Sequence, residues 1–173
     1  MSARSGSSVS APARPTVGDI ITSRTPECFG CGERADGLAM ELVLAGENAI
    51  TGRVAITDGH QGAPGLAHGG ILSAAFDEVL GAIPWYLIGD AVTVQLNVSY
   101  QAPVRIGSQL LVHGQLDRVE GRKVFVSGVA QLSDGQQVAA AEAIFVRVPS
   151  SHFPAVSKPQ ESPPEPDRKE SHD

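Results

Sequence analysis

From residue 38 the apolar positions fall on alternate places: Leu38, Met40, Leu42 and Leu44, then Ile50, Val54 and Ile56 beyond the turn residues Gly46-Glu47-Asn48. A period of two on either side of such a turn predicts a hairpin. Gly59, Gly62, Pro64 and Gly65 make the next stretch a loop. The pattern then changes. From His68 onward Ile71, Leu72, Ala74, Ala75, Phe76, Val79, Leu80, Ala82 and Ile83 leave hardly any polar face, which predicts a buried helix. Pro84 is expected to close it, because the residue before a proline is pushed out of helical geometry. After Gly89-Asp90, AVTVQLNVSY alternates strictly. It predicts a two-faced strand with Val92, Val94, Leu96, Val98 and Tyr100 inward and Thr93, Gln95, Asn97 and Ser99 on polar surroundings. Strand-like runs at 109–119, 122–132 and 137–148 follow, joined at Glu120-Gly121 and Asp134-Gly135, both strong hairpin turns.

The order is two strands, one long helix and a four-stranded meander. The absence of helices between the later strands excludes a doubly wound parallel sheet. One helix cannot cover two sheets, but an antiparallel sheet can curl around one helix. The expected class is α+β, the hotdog architecture, with an antiparallel sheet wrapped around a central helix. Residues 25–149 are expected to form that domain. Residues 1–24, rich in Ser, Ala, Pro and Arg, lack the apolar region of a secretory signal. Their arginines, with no acid before Asp19, faintly resemble an organelle transit peptide, but a disordered tail is the reading adopted. Residues 150–173 set prolines among charges and are expected to be a second disordered tail.

Composition narrows the function. A net charge of −6 argues against a general nucleic-acid binder. No apolar run approaches the roughly 20 residues that span a bilayer. Two cysteines, Cys28 and Cys31, are too few for a disulfide framework, so a reducing, cytoplasmic setting is expected. Their CxxC spacing suits a metal knuckle, but zinc would need two more ligands and no second CxxC exists. His60 and His68 are conceivable partners that nothing in the sequence brings close. A reduced structural loop, with no metal, is the expectation.

The chemistry concentrates at 68–78. His68-Gly69-Gly70 puts residues without side chains where helix amides have no partner, a ready site for a polarised oxygen. Gly70, Ser73 and Asp77 form a stripe of small and polar groups along one helix face. A close-packing groove is the lesser alternative for such a stripe. Asp77 and Glu78 are carboxylates in an apolar helix, and a buried carboxylate without a partner is expensive. Glu78 points about 100° away from Asp77 and reads as a structural or surface partner.

The segments CFGCG, HQGAPGLAHGG, Asp77-Glu78 and TVQLNVSYQAPV, in this order, resemble the acyl-CoA thioesterases of the hotdog superfamily, nearest to their PaaI-like and THEM4/THEM5-type branch. The resemblance implies a thioester hydrolase. It makes the Gly69 amide the oxyanion donor, Asp77 the general base or nucleophile, and His68 the motif histidine near the thioester. Thr93 would support the acid or its water. Many PaaI-like relatives carry an asparagine before HGG; here Gln61 is the candidate for that place. Gly70, Arg122 and Lys123 are candidates for the phosphates of coenzyme A, with Arg105 and Arg118 behind them. Coenzyme A is then part of the substrate, and no separate cofactor is expected.

Elementary chemistry agrees, since thioester hydrolysis needs a stabilised oxyanion and delivered water. Gly69 and Asp77 are separated by about 12 Å of helix, too far to share one carbonyl. A symmetric dimer, alone or within a tetramer, would bring Gly69 of one subunit to Asp77 of the other. The alternative is a non-catalytic acyl-CoA binding or sensing protein on the same fold. A hotdog dehydratase would need a second acid–base motif that is not found.

Overall fold

The computed structural model describes residues 16–21 and 26–153. Seven strands form one antiparallel sheet: β1 Ile20–Ile21, β2 Glu41–Gly46, β3 Ala49–Ala55, β4 Ala91–Tyr100, β5 Gln109–Glu120, β6 Lys123–Leu132 and β7 Gln137–Arg147. The helix α1, Gly69–Leu87, lies across the face of this sheet. Its inner side carries Leu72, Ala75, Phe76, Val79, Leu80 and Ile83, all buried against Leu42, Ile50, Leu110, Val112, Val126 and Phe145 of the strands. Close approach needs small residues beneath it. A Cβ on Gly52 would stand 2.4 Å from Val79 Cγ2, and one on Gly114 would stand 3.0 Å from Leu80 Cδ2. This is the expected α+β hotdog arrangement, with the hairpin β2–β3 and the β5–β6–β7 run in place. No helix among the described residues is long and apolar enough to cross a membrane.

Four expectations need correction. The meander is broken, because β4 pairs with β7 while β5 pairs with β3, giving the order β1-β2-β3-β5-β6-β7-β4. Tight turns oblige β5, β6 and β7 to be neighbours, whereas the longer connection after Tyr100 permits a crossover. That connection passes the helix start, where Ala67 N–H donates to Val104 O (2.9 Å) and Ile106 N–H to Gly65 O (3.1 Å). The crossover leaves β4 at an edge of the sheet, with no strand beyond it among the described residues.

Pro84 does not end the helix, which continues to Leu87. Proline removes one amide bond and crowds the preceding turn, but here Ile88 and Gly89 both donate to Pro84 O (2.9 and 2.7 Å). Trp85, in the turn so closed, packs on Phe153 with ring centroids 5.3 Å apart and donates from Nε1 to Ala91 O. That contact also corrects the boundary at 149, since Ser150–His152 form a 3-10 turn leading to Phe153. At the other end, β1 lies inside the segment expected to be a tail and pairs with Leu42 and Val43. The remaining tail residues, 1–15, 22–24 and 154–173, lie outside the described residues.

Candidate active site

The helix start is built by His68. Its backbone is extended (φ −67°, ψ 137°), and its Nδ1 accepts from Gly70 N–H at 2.9 Å. His68 thus caps the helix and takes up the Gly70 amide. The Gly69 N–H, at the first helical position, has no acceptor among the described residues. A bare amide at the positive end of a helix favours a developing oxyanion. The loop before it is closed by an isolated bridge between Gln61 and Ala67. Gln61 Oε1 accepts from Gly65 N–H at 2.9 Å, so this side chain braces its own loop beside His68. His60 is buried and accepts from Thr57 N–H through Nδ1.

Two turns along the helix, Asp77 is exposed and its Oδ1 accepts from Thr93 Oγ1 at 2.9 Å. Strict alternation puts Thr93 on the face away from the helix. A β-bulge reverses this: Thr93 pairs with Phe145 and Gln95 with Ile144, so Val94 is the extra residue. An extra residue shifts the side-chain parity of a strand. Before the bulge Ala91 and Thr93 share the helix side with buried Phe145; after it Leu96, Val98 and Tyr100 do. Val94, expected inward, is 56% exposed. The bulge is what delivers a hydroxyl to the carboxylate.

Tyr100 lies at the far end of β4, where the sequence pattern marks it only as an apolar strand residue. Its hydroxyl donates to Gly69 O (3.0 Å) and lies 2.6 Å from Ser73 Oγ. Gly69, Ser73 and Asp77 stand four residues apart, one helix stripe facing the edge strand. The expected stripe was Gly70, Ser73 and Asp77; Gly69 in place of Gly70, and Tyr100 as the partner, depend on how the strand crosses the helix.

A cleft of about 340 Å³ opens beside Gly69, lined by Leu72, Tyr100 and residues 101–104. A larger cavity, about 610 Å³, lies elsewhere, against Thr51, His113, Ser127 and Glu142. Its lining has neither a bare helix amide nor Asp77, so chemistry favours the smaller cleft. Arg122 and Lys123 are exposed at the β5–β6 turn, Arg122 donating to Arg147 O at 3.1 Å. Through Val146 that turn adjoins the Thr93 end of β4, not the Tyr100 end.

Glu78 turns the other way around the helix, into the loop of residues 26–40. Cys28 Sγ donates to Glu78 Oε2 at 3.3 Å, and the ligand atoms of Cys28, Cys31 and Glu78 all lie within 4.8 Å of one another. His60 and His68 do not belong to this group.

A bare amide and an exposed carboxylate steadied by a hydroxyl can stabilise an oxyanion and take a proton from water. The chain also has likenesses among known proteins. The family model described as "Thioesterase superfamily" matches residues 64–139. Acyl-coenzyme A thioesterase THEM4 of Bos taurus is 32% identical over 117 residues, covering 65% of this chain and 48% of that one. The crystal structure of the thioesterase superfamily protein RHA08564 has a TM-score of 0.59 at 32% identity, over 65% of this chain and 55% of that one. The E. coli PaaI protein, at 15% identity, shares the fold with a TM-score of 0.62 over 65% of this chain and 81% of that one. The chain spans half or less of the length of the curated relatives it matches. The chain thus has the hotdog fold and resembles proteins of the thioesterase superfamily, acyl-coenzyme A thioesterase THEM4 among them, while the PaaI protein shares the fold.

Proposed function

We propose that this chain is an acyl-CoA thioesterase, hydrolysing an acyl-CoA to the free acid and coenzyme A in a site shared by two subunits. The observation that carries the reading is the exposed Asp77, held by Thr93 on the same helix as the unpartnered Gly69 amide. The Gly69 N–H binds the carbonyl oxygen and stabilises the charge that develops there. Asp77 either takes a proton from the attacking water or attacks the carbonyl carbon itself. In both routes the C–S bond breaks, a water supplies the acid's new oxygen, and the thiolate leaves to be protonated. Tyr100 positions the donor by holding Gly69 O.

The single chain does not complete this site, since Gly69 and Asp77 stand about 12 Å apart along one helix. The free edge of β4 suggests the remedy, because an unpaired regular strand invites a partner. Two β4 strands pairing antiparallel about their midpoint, near Gln95 and Leu96, would set the Thr93 end of one beside the Tyr100 end of the other. Asp77 would then face the partner's Gly69, with Arg122 and Lys123 of the Asp77 subunit nearby for the coenzyme's phosphates. Such dimers can pair again into tetramers. A soluble, cytoplasmic enzyme acting without a separate cofactor fits this reading.

The test is release of coenzyme A thiol by the full chain across a series of acyl chain lengths and aryl thioesters. Turnover of some members at kcat well above background is expected. Tight binding of acyl-CoA with no turnover of any member would overturn the hydrolase reading in favour of an acyl-CoA sensor.

A further inference from the structure

The CFGCG loop is not explained by hydrolysis, since it lies on the side of α1 turned away from Asp77. It is pressed tightly onto the helix. A Cβ on Gly30 would stand 2.0 Å from Glu78 Oε2, and one on Gly32 would stand 2.3 Å from Pro26 O. Both glycines are needed for the chain to wrap this closely. Gly32 N–H donates to Cys28 O (3.0 Å), and Leu38 and Met40 N–H donate to Phe29 O and Gly30 O (2.7 and 2.9 Å). The folded loop thereby turns Cys28 and Cys31, both thiols and half-buried, toward a half-buried carboxylate 50 positions away from Cys28 in the chain. A thiol is a weak hydrogen-bond donor, a poor return for holding a carboxylate in an otherwise apolar helix.

We propose that Cys28, Cys31 and Glu78 form a metal site that takes one zinc ion, or a similar borderline-soft divalent cation, and clamps residues 26–40 to α1. The donor set is two thiolates and one carboxylate, which zinc accepts and harder cations such as magnesium do not. Zinc bonds of about 2.3 Å to sulfur and about 2.0 Å to oxygen give tetrahedral edges of about 3.5 Å (S–O) and about 3.8 Å (S–S). The Cys28 Sγ–Glu78 Oε2 separation is 3.3 Å, and the whole group lies within 4.8 Å. Shifts of at most about 1 Å therefore close the site around an ion. Binding releases the two thiol protons to solvent; the ion's two positive charges meet two thiolates and a carboxylate, and a water completes the tetrahedron. Glu78 adjoins Asp77 in sequence but points about 100° away around the helix, so the ion is a clamp and not a part of the proposed hydrolytic site.

The decisive measurement is a cobalt titration of the full chain, stripped of metal with a chelator and kept reduced with a phosphine. A thiolate-to-cobalt charge-transfer band should grow to saturation at one cobalt per chain and disappear on adding one equivalent of zinc. Cys28→Ser and Cys31→Ser should abolish the band. Glu78→Gln, which keeps both thiolates, should weaken binding at least about tenfold, the scale of losing a group that supports a metal. No band in the folded wild-type chain would overturn the site, and that result depends on no variant. A Glu78→Gln chain that binds cobalt as tightly as wild type would overturn the three-ligand assignment. The titration contains no thioester, so its failure leaves the hydrolase reading untouched, and the converse also holds.

Discussion

Replacing Thr93 with valine removes the hydroxyl that donates to Asp77 while keeping the shape of the side chain. The bond is 2.9 Å long and its acceptor is a carboxylate. Hydrogen bonds to charged groups contribute about 1.5–3 kcal/mol. Both residues are exposed in the single chain, so a value around or below the lower end of that range applies, about 1–2 kcal/mol. That converts to a fall in kcat of about 5- to 30-fold. Asp77→Asn removes the base or nucleophile itself, and kcat should fall by about two to four orders of magnitude. Substrate binding should survive, so the losses belong in kcat rather than KM. Thr93 is argued to act through Asp77, which makes the double variant the informative one. With asparagine at 77, Thr93→Val should cost less than about twofold, because the charge it steadies is already gone. The assay is thiol release at saturating acyl-CoA for wild type, both single variants and the pair, with melting curves to confirm folding. Near-normal turnover by Asp77→Asn would refute the assignment of the acid. Equal Thr93→Val losses in both backgrounds would refute positioning and give Thr93 an independent role.

Gly69→Pro deletes the proposed oxyanion donor at the first helical position, which tolerates proline; kcat should drop about 10²- to 10³-fold with little change in melting temperature. Mixing Gly69→Pro with Asp77→Asn subunits should restore about a quarter of wild-type activity, since half the dimers would then hold one intact site; no recovery after verified subunit exchange would sink the shared site. Sedimentation at low micromolar concentration should correspondingly show no active monomer. Phe153→Ala removes the ring that stacks on Trp85 and should cost about 1–2 kcal/mol in denaturant unfolding, with a shift in Trp85 fluorescence. Phe76→Ala, at a fully buried position under the helix, should cost about 3–5 kcal/mol, measured the same way.

The elements that rest on local pattern could be read directly from the chain. The hairpin around Gly46-Glu47-Asn48, the turns at Gly121 and Gly135 and the apolar helix after His68 were all legible, because periodicity and turn chemistry act over a few residues. His68, Gly69 and Asp77 were legible as candidates because their spacing on one helix is itself local. Tertiary structure decided the rest. A bulge at Val94 leaves no mark in AVTVQLNVSY, yet it turns Thr93 toward Asp77 and carries Val94 to the surface. The place of β4 at the sheet edge follows from a crossover that the connection after Tyr100 permits but does not require. Pro84 stays helical because contacts from Trp85 and Phe153 outweigh a local preference. Glu78 meets Cys28 across 50 positions of chain. Each of these depends on which surfaces meet once the helix is laid on the sheet, and local propensities of about 1 kcal/mol or less are overridden by burial worth several times that.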